Sequence, residues 1–314
     1  MIVTTSVTVR VPAKINLQLT IGPLRPDGYH DLVTVFHAVS LFDEVTVTAA
    51  ERDSVLVAGE GAAEVPADSD NLALRAVRAL RAEIEARPAA RPDAGGPVRV
   101  EISKRIPVAA GMAGGSADAA AAIVACDALW GTRLPASELS QVAARIGSDV
   151  PFALLGGTAV GRGRGERLAP VAAAPAGYHW VLGYADGQLS TPLVYKALDQ
   201  QRGDEPATGP RLSEELVAAL RSGDARRLAA ALSNDLQAPA LSLFPALRDT
   251  LEAGRAAGAL GGLVSGSGPT CFFLARDAEH ARDLAGRLAA AGACREVTAA
   301  IGPVSGAAVV TREA

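Results

Sequence analysis

The sequence predicts an α+β protein of two domains, 1–170 and 171–314, and three observations predict it. The chain has 314 residues, about twice what one ordinary domain needs. Strand-like runs come in groups with helical runs between them, without the regular strand–helix alternation of a parallel sheet. The stretch P-V-A-A-A-P-A-G at Pro170–Gly177 reads as the linker.

Residues 7–21 place Val7, Val9, Val11, Ile15, Leu17, Leu19 and Ile21 at a near-alternating spacing, as a half-buried strand requires. Gly22–Gly28 is a turn-rich loop. Further strands are expected near Val33–Val39, Glu44–Thr48 and Val55–Ala58. Asp70 or Asn71 caps a helix running through Leu80 and Ile84. Pro88–Pro97 is a Pro/Gly/Arg loop, and Val98–Ser103 a strand. Ala117–Trp130 and Ser137–Ile146 are helices, each ended by a glycine. Beyond the linker, a strand is expected at His179–Tyr184 and helices near 213–221, 224–232 and 244–257. Strands at Gly262–Val264 and Cys271–Leu274 flank a glycine turn. A helix at Ala278–Ala291 and a final strand at Ala308–Thr311 complete the reading.

Composition narrows the function. Hydrophobic residues make up 49% and charged residues 20%, which suits a chain that folds around its own core. Thirty basic residues against 34 acidic give a net charge of −4, so bulk charge offers no footprint for nucleic acid. Cys126, Cys271 and Cys294 have no metal-ligand or disulfide spacing, as expected in a reducing cytoplasm. The N-terminus lacks the pattern of a signal peptide. No apolar run is long enough to predict a membrane span. Only three lysines occur, Lys14, Lys104 and Lys196. In so Arg-rich a chain, a retained lysine is a candidate for a site that wants a compact point charge.

Five motifs carry candidate chemistry. Pro107–Ala121, P-V-A-A-G-M-A-G-G-S-A-D-A-A-A, lies between a strand and a helix. Its glycines let successive backbone N–H groups and a helix N-terminus face an anion. It is neither a P-loop nor G-x-G-x-x-G. Ser116 suits an N-cap and can reach a phosphate or Mg2+. In P-A-K-I-N-L, Pro12–Leu17, alternation puts Lys14, Asn16 and Gln18 on one face. That face is either solvated or, if buried, expensive without partners. P-D-G-Y-H, Pro26–His30, is a turn ending in an aromatic ring and a titratable one. In I-G-S-D-V-P-F, Ile146–Phe152, Asp149 is a cap, a structural pair or a catalytic group. The motif by itself favours the cap. L-G-G-L-V-S-G-S-G-P-T, Leu260–Thr270, is a turn for close approach of phosphate or backbone, or a plain strand corner.

Together, P-A-K-I-N, G-M-A-G-G-S-A-D and S-G-S-G-P-T resemble the three motifs of the GHMP kinase superfamily. A-K-I-N-L, D-G-Y-H, K-R-I-P, D-N-L, G-S-D-V-P-F and T-P-L-V-Y resemble its branch that acts in non-mevalonate isoprenoid biosynthesis. The resemblance runs from about residue 8 to 300. It departs where family glycines are Ala109, Ala110 and Ala113, and in the tail after Gly302.

The resemblance implies a two-domain GHMP kinase fold, with a ribosomal S5-like N-terminal domain and a ferredoxin-like C-terminal domain. It implies ATP and Mg2+ as cofactors. The implied acceptor is a small molecule bearing cytidine diphosphate, phosphorylated by a monomer or weak homodimer. The catalytic pair maps to Lys14 and Asp149, with a salt bridge holding Asp149 ionised. ATP would be held by Asn71, Leu72, Lys104 and the loop Pro107, Val108, Ala109, Ala110, Gly111, Met112, Ala113, Gly114, Gly115, Ser116 and Ala117. The acceptor would meet Asn16, Tyr29, His30, Thr191, Tyr195, Ser265 and Gly266. The rings of Tyr29 and Tyr195 are expected to sandwich the cytosine, with His30 at its edge. Another kinase of the superfamily, a non-catalytic nucleotide-binding module and an S5-like RNA binder are the competing readings. The Tyr29-His30 loop, the Lys14–Asp149 pair and the acidic balance argue against them in turn.

Overall fold

A computed structural model describes residues 5–87, 95–203 and 209–313. In chain order the elements are β1 (Ser6–Leu24), β2 (His30–Ala49), β3 (Ser54–Gly59), α1 (Leu72–Glu85), β4 (Val98–Lys104), α2 (Gly114–Trp130), α3 (Ala136–Ile146), α4 (Val150–Leu155), β5 (Thr158–Gly163) and β6 (Arg167–Pro170). After the linker come β7 (Tyr178–Tyr184), α5 (Thr191–Arg202), α6 (Glu214–Ser222), α7 (Ala225–Ala231), β8 (Ser233–Asn234), α8 (Gln237–Leu243) and α9 (Ala246–Ala256). β9 (Gly261–Val264), β10 (Cys271–Ala275), α10 (Ala278–Ala290), β11 (Glu296–Gly302) and β12 (Ala308–Glu313) follow. Of the expected 88–97 loop, residues 88–94 lie outside the described residues.

Two sheets organise these elements. The first runs β12-β1-β2-β4-β3, with β5 and β6 branching from β2 and β8 beside β1. The second is an antiparallel sheet in the order β11-β7-β10-β9. α2 packs against β1, β2 and α1. Its alanines are buried nearly all round, as in a helix enclosed by its own protein. Their small side chains let the backbone sit close to the sheet, which carries the glycine loop up against β1. The α+β class is borne out, while several element boundaries move.

Val33–Val39 and Glu44–Thr48 are one strand. A register shift opposite Pro12–Ala13 absorbs Ser40 and Leu41, so the break in alternation bulges the ladder without ending it. α4, β5, β6, α5, α8 and β11 were not expected. α4 is too short to display a period, and β5, T-A-V-G-R-G, reads like a loop. The tail after Gly302 returns to the first sheet, where β12 pairs antiparallel with β1. The two sheets meet at His37, whose ring lies edge-on to Trp180 at 5.5 Å.

Candidate active site

Lys14 and Asn16 both lie on β1 and both are buried; the solvated-face alternative is excluded. The Lys14 ammonium donates to Asn16 Oδ1 at 2.7 Å and to the Gly111 carbonyl at 2.7 Å. Asn16 Nδ2 in turn donates to Thr34 Oγ1 at 2.8 Å. Asn16 is thereby committed to holding the lysine, which explains how a buried cation is tolerated on this strand. Burial pulls the Lys14 pKa below the ordinary lysine value, and the charge of Asp149 opposes that shift.

The expected Lys14–Asp149 salt bridge does not form. The ammonium is given to Asn16 and Gly111, and Asp149 acts on it through space. Asp149 does occupy the N-cap position of α4, yet its side chain makes no cap hydrogen bond. Capping, the role favoured from its own motif, is therefore not what the carboxylate does. It also raises the Tyr195 hydroxyl pKa, although burial contributes more. Asp149 thus sits within electrostatic reach of both Lys14 and Tyr195.

The glycine loop descends from β4 and turns into α2. Gly111 is held on two sides, since Ser265 Oγ also donates to its carbonyl at 3.1 Å. A Cβ on Gly111 would lie 2.1 Å from the Ser265 carbonyl oxygen, so only glycine fits this approach. Ser116 is not the N-cap of α2. The helix starts at Gly114, with Ala113 at the cap in the left-handed region (φ 60°). Ser116 lies in the first turn, 3.9 Å from where a Gly147 side chain would begin. Ala109 is also left-handed, at φ 51°. Two of the alanines that stand in for family glycines therefore keep a glycine conformation. Pro107, Val108, Ala110 and Met112 complete the run between Ile106 and α2, and Ala117 lies in the helix itself. Met112 also accepts from the Lys14 N–H through its carbonyl, at 3.3 Å.

Lys104 is clamped beneath this loop. Its ammonium is 2.5 Å from Asp43 Oδ2 and 2.7 Å from Asp118 Oδ2, with all three side chains buried. Asp43 Oδ1 also accepts from the Arg105 and Ile106 N–H groups. One ammonium and two backbone donors satisfy Asp43. Asp118 is left the poorer carboxylate, with Oδ1 unpartnered, and burial pushes its pKa up, to about 7. Lys104, Asn71, Leu72, Val108, Ala109 and Gly115 line one cavity of about 190 Å³ beside the start of α2. Asn71, not Asp70, caps α1: its Oδ1 accepts from the Ala73 N–H at 2.9 Å, and its Nδ2 donates to the Pro66 carbonyl.

The second glycine turn closes the other side. Gly266 is left-handed, and a Cβ there would stand 3.2 Å from both Lys14 Nζ and Asn16 Oδ1. Asn234 donates to the Val264 and Gly266 carbonyls and fixes the turn. Thr191, at the start of α5, is hydrogen-bonded to Ser267 at 2.8 Å. That contact brings α5, which carries Tyr195, to the turn. His30 Nε2 is 2.9 Å from Asp199 Oδ1, and its ring stands 5.3 Å from that of Tyr195. Tyr29 is half exposed with the Arg164 guanidinium 4.8 Å from its ring centroid.

Lys14, Asn16, Gly111, Ser265 and Gly266 therefore converge at one point. His30 and Tyr195 form a neighbouring cluster on β2 and α5. Sequence reasoning missed Asp43, Asp118, Asp199 and Arg164. Asp43, a carboxylate between the two apolar runs of β2, left a readable trace; Asp199 and Arg164 left none.

The model of the GHMP kinases N terminal domain matches residues 71–157, and that of the GHMP kinases C terminal domain matches residues 216–294. A Thermobifida fusca (strain YX) protein named 4-diphosphocytidyl-2-C-methyl-D-erythritol kinase is 57% identical, over 98% of this chain and 99% of its own. A protein of the same name from Salinispora arenicola (strain CNS-205) is 55% identical over 96% and 93%. A crystal structure of 4-(cytidine 5'-diphospho)-2C-methyl-D-erythritol kinase superposes with a TM-score of 0.74 at 36% identity, covering 95% of this chain and all of that one. A homoserine kinase from Cytophaga hutchinsonii superposes equally well, at 0.74, with 18% identity over 99% of each chain, a likeness of fold.

Proposed function

The chain belongs to the GHMP kinase family, and from that premise we propose that it transfers the γ-phosphoryl group of ATP to the 2-hydroxyl of 4-diphosphocytidyl-2-C-methyl-D-erythritol, a step in non-mevalonate isoprenoid biosynthesis. The reading rests on the Lys14 ammonium, buried between Asn16 and the Gly111 carbonyl, with the Asp149 carboxylate, free of any cap bond, within electrostatic reach of it. On this reading residues 1–170 supply the ATP cradle, the catalytic residues and Tyr29 and His30 of the acceptor site, and 171–314 the rest of the acceptor side, with β8 and β12 returning to the first sheet.

Phosphoryl transfer asks a protein mainly for positioning and charge neutralisation. Lys14, fixed by two acceptors, meets negative charge on the transferred group without having to reorganise. Asp149 has no cap bond to break, so it can accept the acceptor hydroxyl's hydrogen bond and orient its oxygen. The backbone N–H groups at the start of α2 face the phosphates. The cavity lined by Asn71, Leu72 and Gly115 takes the adenine end. Lys104 spends its ammonium on Asp43 and Asp118, so it braces that wall. Mg2+ bound with nucleotide phosphates needs only one or two protein oxygens, and the Ser116 hydroxyl in the first turn of α2 suits that role. When bound, the ion would offset charge on the phosphate oxygens. Tyr195, backed by His30, and Tyr29, backed by Arg164, would stack on the cytosine. Among the described residues no helix is long and apolar enough to cross a membrane.

The test is ADP release by the purified protein with a panel of alcohols: the cytidine-diphosphate methylerythritol, homoserine and mevalonate. Turnover confined to the first supports the proposal. Turnover of either other alcohol at a comparable rate overturns it.

A further inference from the structure

A second basic cavity lies at the far end of the β9–β10 hairpin from the site above. The Ser265–Pro269 turn that reaches Lys14 joins β9 to β10. Arg276 follows the last residue of β10, and Gly258–Leu260 precede the first of β9. The five residues of β10 span roughly 16 Å at about 3.3 Å each, so the two places are distinct. The cavity measures about 430 Å³, within the usual range for small-molecule sites.

Its lining contains three donor side chains, Arg226, Arg276 and His280, and no carboxylate. The Arg276 N–H donates to His280 Nδ1 at 3.0 Å. That bond leaves the hydrogen of a neutral imidazole on Nε2. Nε2 stands 3.7 Å from where a Cβ on Gly258 would lie, at the cavity wall. Arg276 uses its Nε on Asp277 Oδ2 at 3.1 Å. Among the described residues its two terminal amino groups have no partner, and neither does the Arg226 guanidinium. Asp277 itself is outside the lining, and its Oδ1 accepts from the His280 N–H. The rest of the wall is apolar, with Ala229, Ala259 and Leu260 prominent.

We propose that this cavity is an anion site for a phosphate monoester of a small molecule. The Arg226 guanidinium and the two terminal amino groups that Arg276 keeps beyond its Asp277 bond match the oxygens of a phosphate dianion, and a fork can engage two of them at once. His280 Nε2–H supplies a further donor. The alanine and leucine wall takes the carbon part of the ester. A simple carboxylate would use one fork and leave the second cation unmatched.

The experiment is an NMR titration of the full chain, with the ATP cradle saturated by a non-hydrolysable ATP analogue. Phenyl phosphate and inorganic phosphate are the two probes. Saturable shifts of the Arg226 and Arg276 Nε–H groups and of the His280 ring nitrogens are expected, with phenyl phosphate several-fold the tighter probe. The double variant Arg226→Glu with Arg276→Glu should weaken binding by at least about tenfold, the scale of one charged hydrogen bond, and leave kcat without added anion unchanged. Absence of a saturable shift at these three residues, or the same affinity in the double variant, overturns the site. Equal affinity for the two probes overturns the ester assignment.

Discussion

The Lys14 ammonium and the Gly111 carbonyl oxygen are 2.7 Å apart, and that bond ties the first strand to the loop that precedes α2. Lys14→Met removes the donor, leaves the buried Asn16 Oδ1 unpaired and leaves the Gly111 carbonyl with Ser265 Oγ as its remaining donor. Activity should fall by roughly 10²–10⁴, the scale of a positioned catalytic group. Steady-state kcat on folded protein checks this. Near-normal kcat would remove Lys14 from the mechanism.

Asp149→Asn keeps the shape and removes the charge. Because the carboxylate caps nothing, α4 should be unaffected and unfolding unchanged to within about 0.5 kcal/mol. kcat should fall by roughly 10²–10⁴. A large loss of stability would show that the carboxylate is structural.

Gly111→Ala places a methyl 2.1 Å from the Ser265 carbonyl oxygen and 3.0 Å from the Gly268 nitrogen. The glycine loop and the 265–269 turn must then move apart, carrying Lys14's acceptor with them. We expect kcat to fall at least tenfold while circular dichroism stays native. Unchanged kcat and ATP affinity would mean that the contact is incidental.

Ala109 and Ala113 hold left-handed backbone at φ 51° and 60°, where a Cβ costs about 1–2 kcal/mol. Either alanine changed to glycine relieves that strain but adds backbone entropy to the unfolded chain. A net gain of about 0.5 kcal/mol is expected from urea unfolding. A loss of stability at both positions would contradict the strain reading.

His37 is fully buried where the two sheets meet, and burial depresses its pKa to about 3. An unfolded histidine titrates near 6.5, so between those values the unfolded chain binds a proton that the folded one does not. Stability is therefore present above about pH 6.5 and is lost as the pH falls toward 3. His37→Phe removes this dependence, so the difference in stability between wild type and variant should shrink from pH 7 to pH 4. A constant difference would contradict the assignment.

The residues that announce chemistry in the sequence are those whose type is unusual for their place. Lys14 and Asn16 are polar on a strand built for burial, Gly111 has no room for a side chain, and Gly266 holds left-handed backbone beside Lys14. Residues that act by supporting others were hidden. Asp118 looks like one polar position in an Ala-rich helix. Its meaning depends on Lys104 and Asp43, which only the fold brings to it. The N-cap expected at Ser116 failed because the loop turns at Ala113, a residue with no capping group. The Lys14–Asp149 salt bridge failed because backbone and amide oxygens outcompete the carboxylate for the ammonium. α4 and β5 were too short or too glycine-rich for periodicity to show.

Phosphorylation of a cytidine-bearing alcohol, with Tyr29 and Tyr195 holding the base, is tested most directly by comparing kcat/KM for the cytidine-diphosphate methylerythritol with that for methylerythritol phosphate. Two stacking contacts of roughly 1–3 kcal/mol each predict that the full substrate is favoured by at least about tenfold. They predict also that kcat falls with the truncated one, because remote binding energy positions the hydroxyl. Equal kcat/KM for the two alcohols would contradict the account.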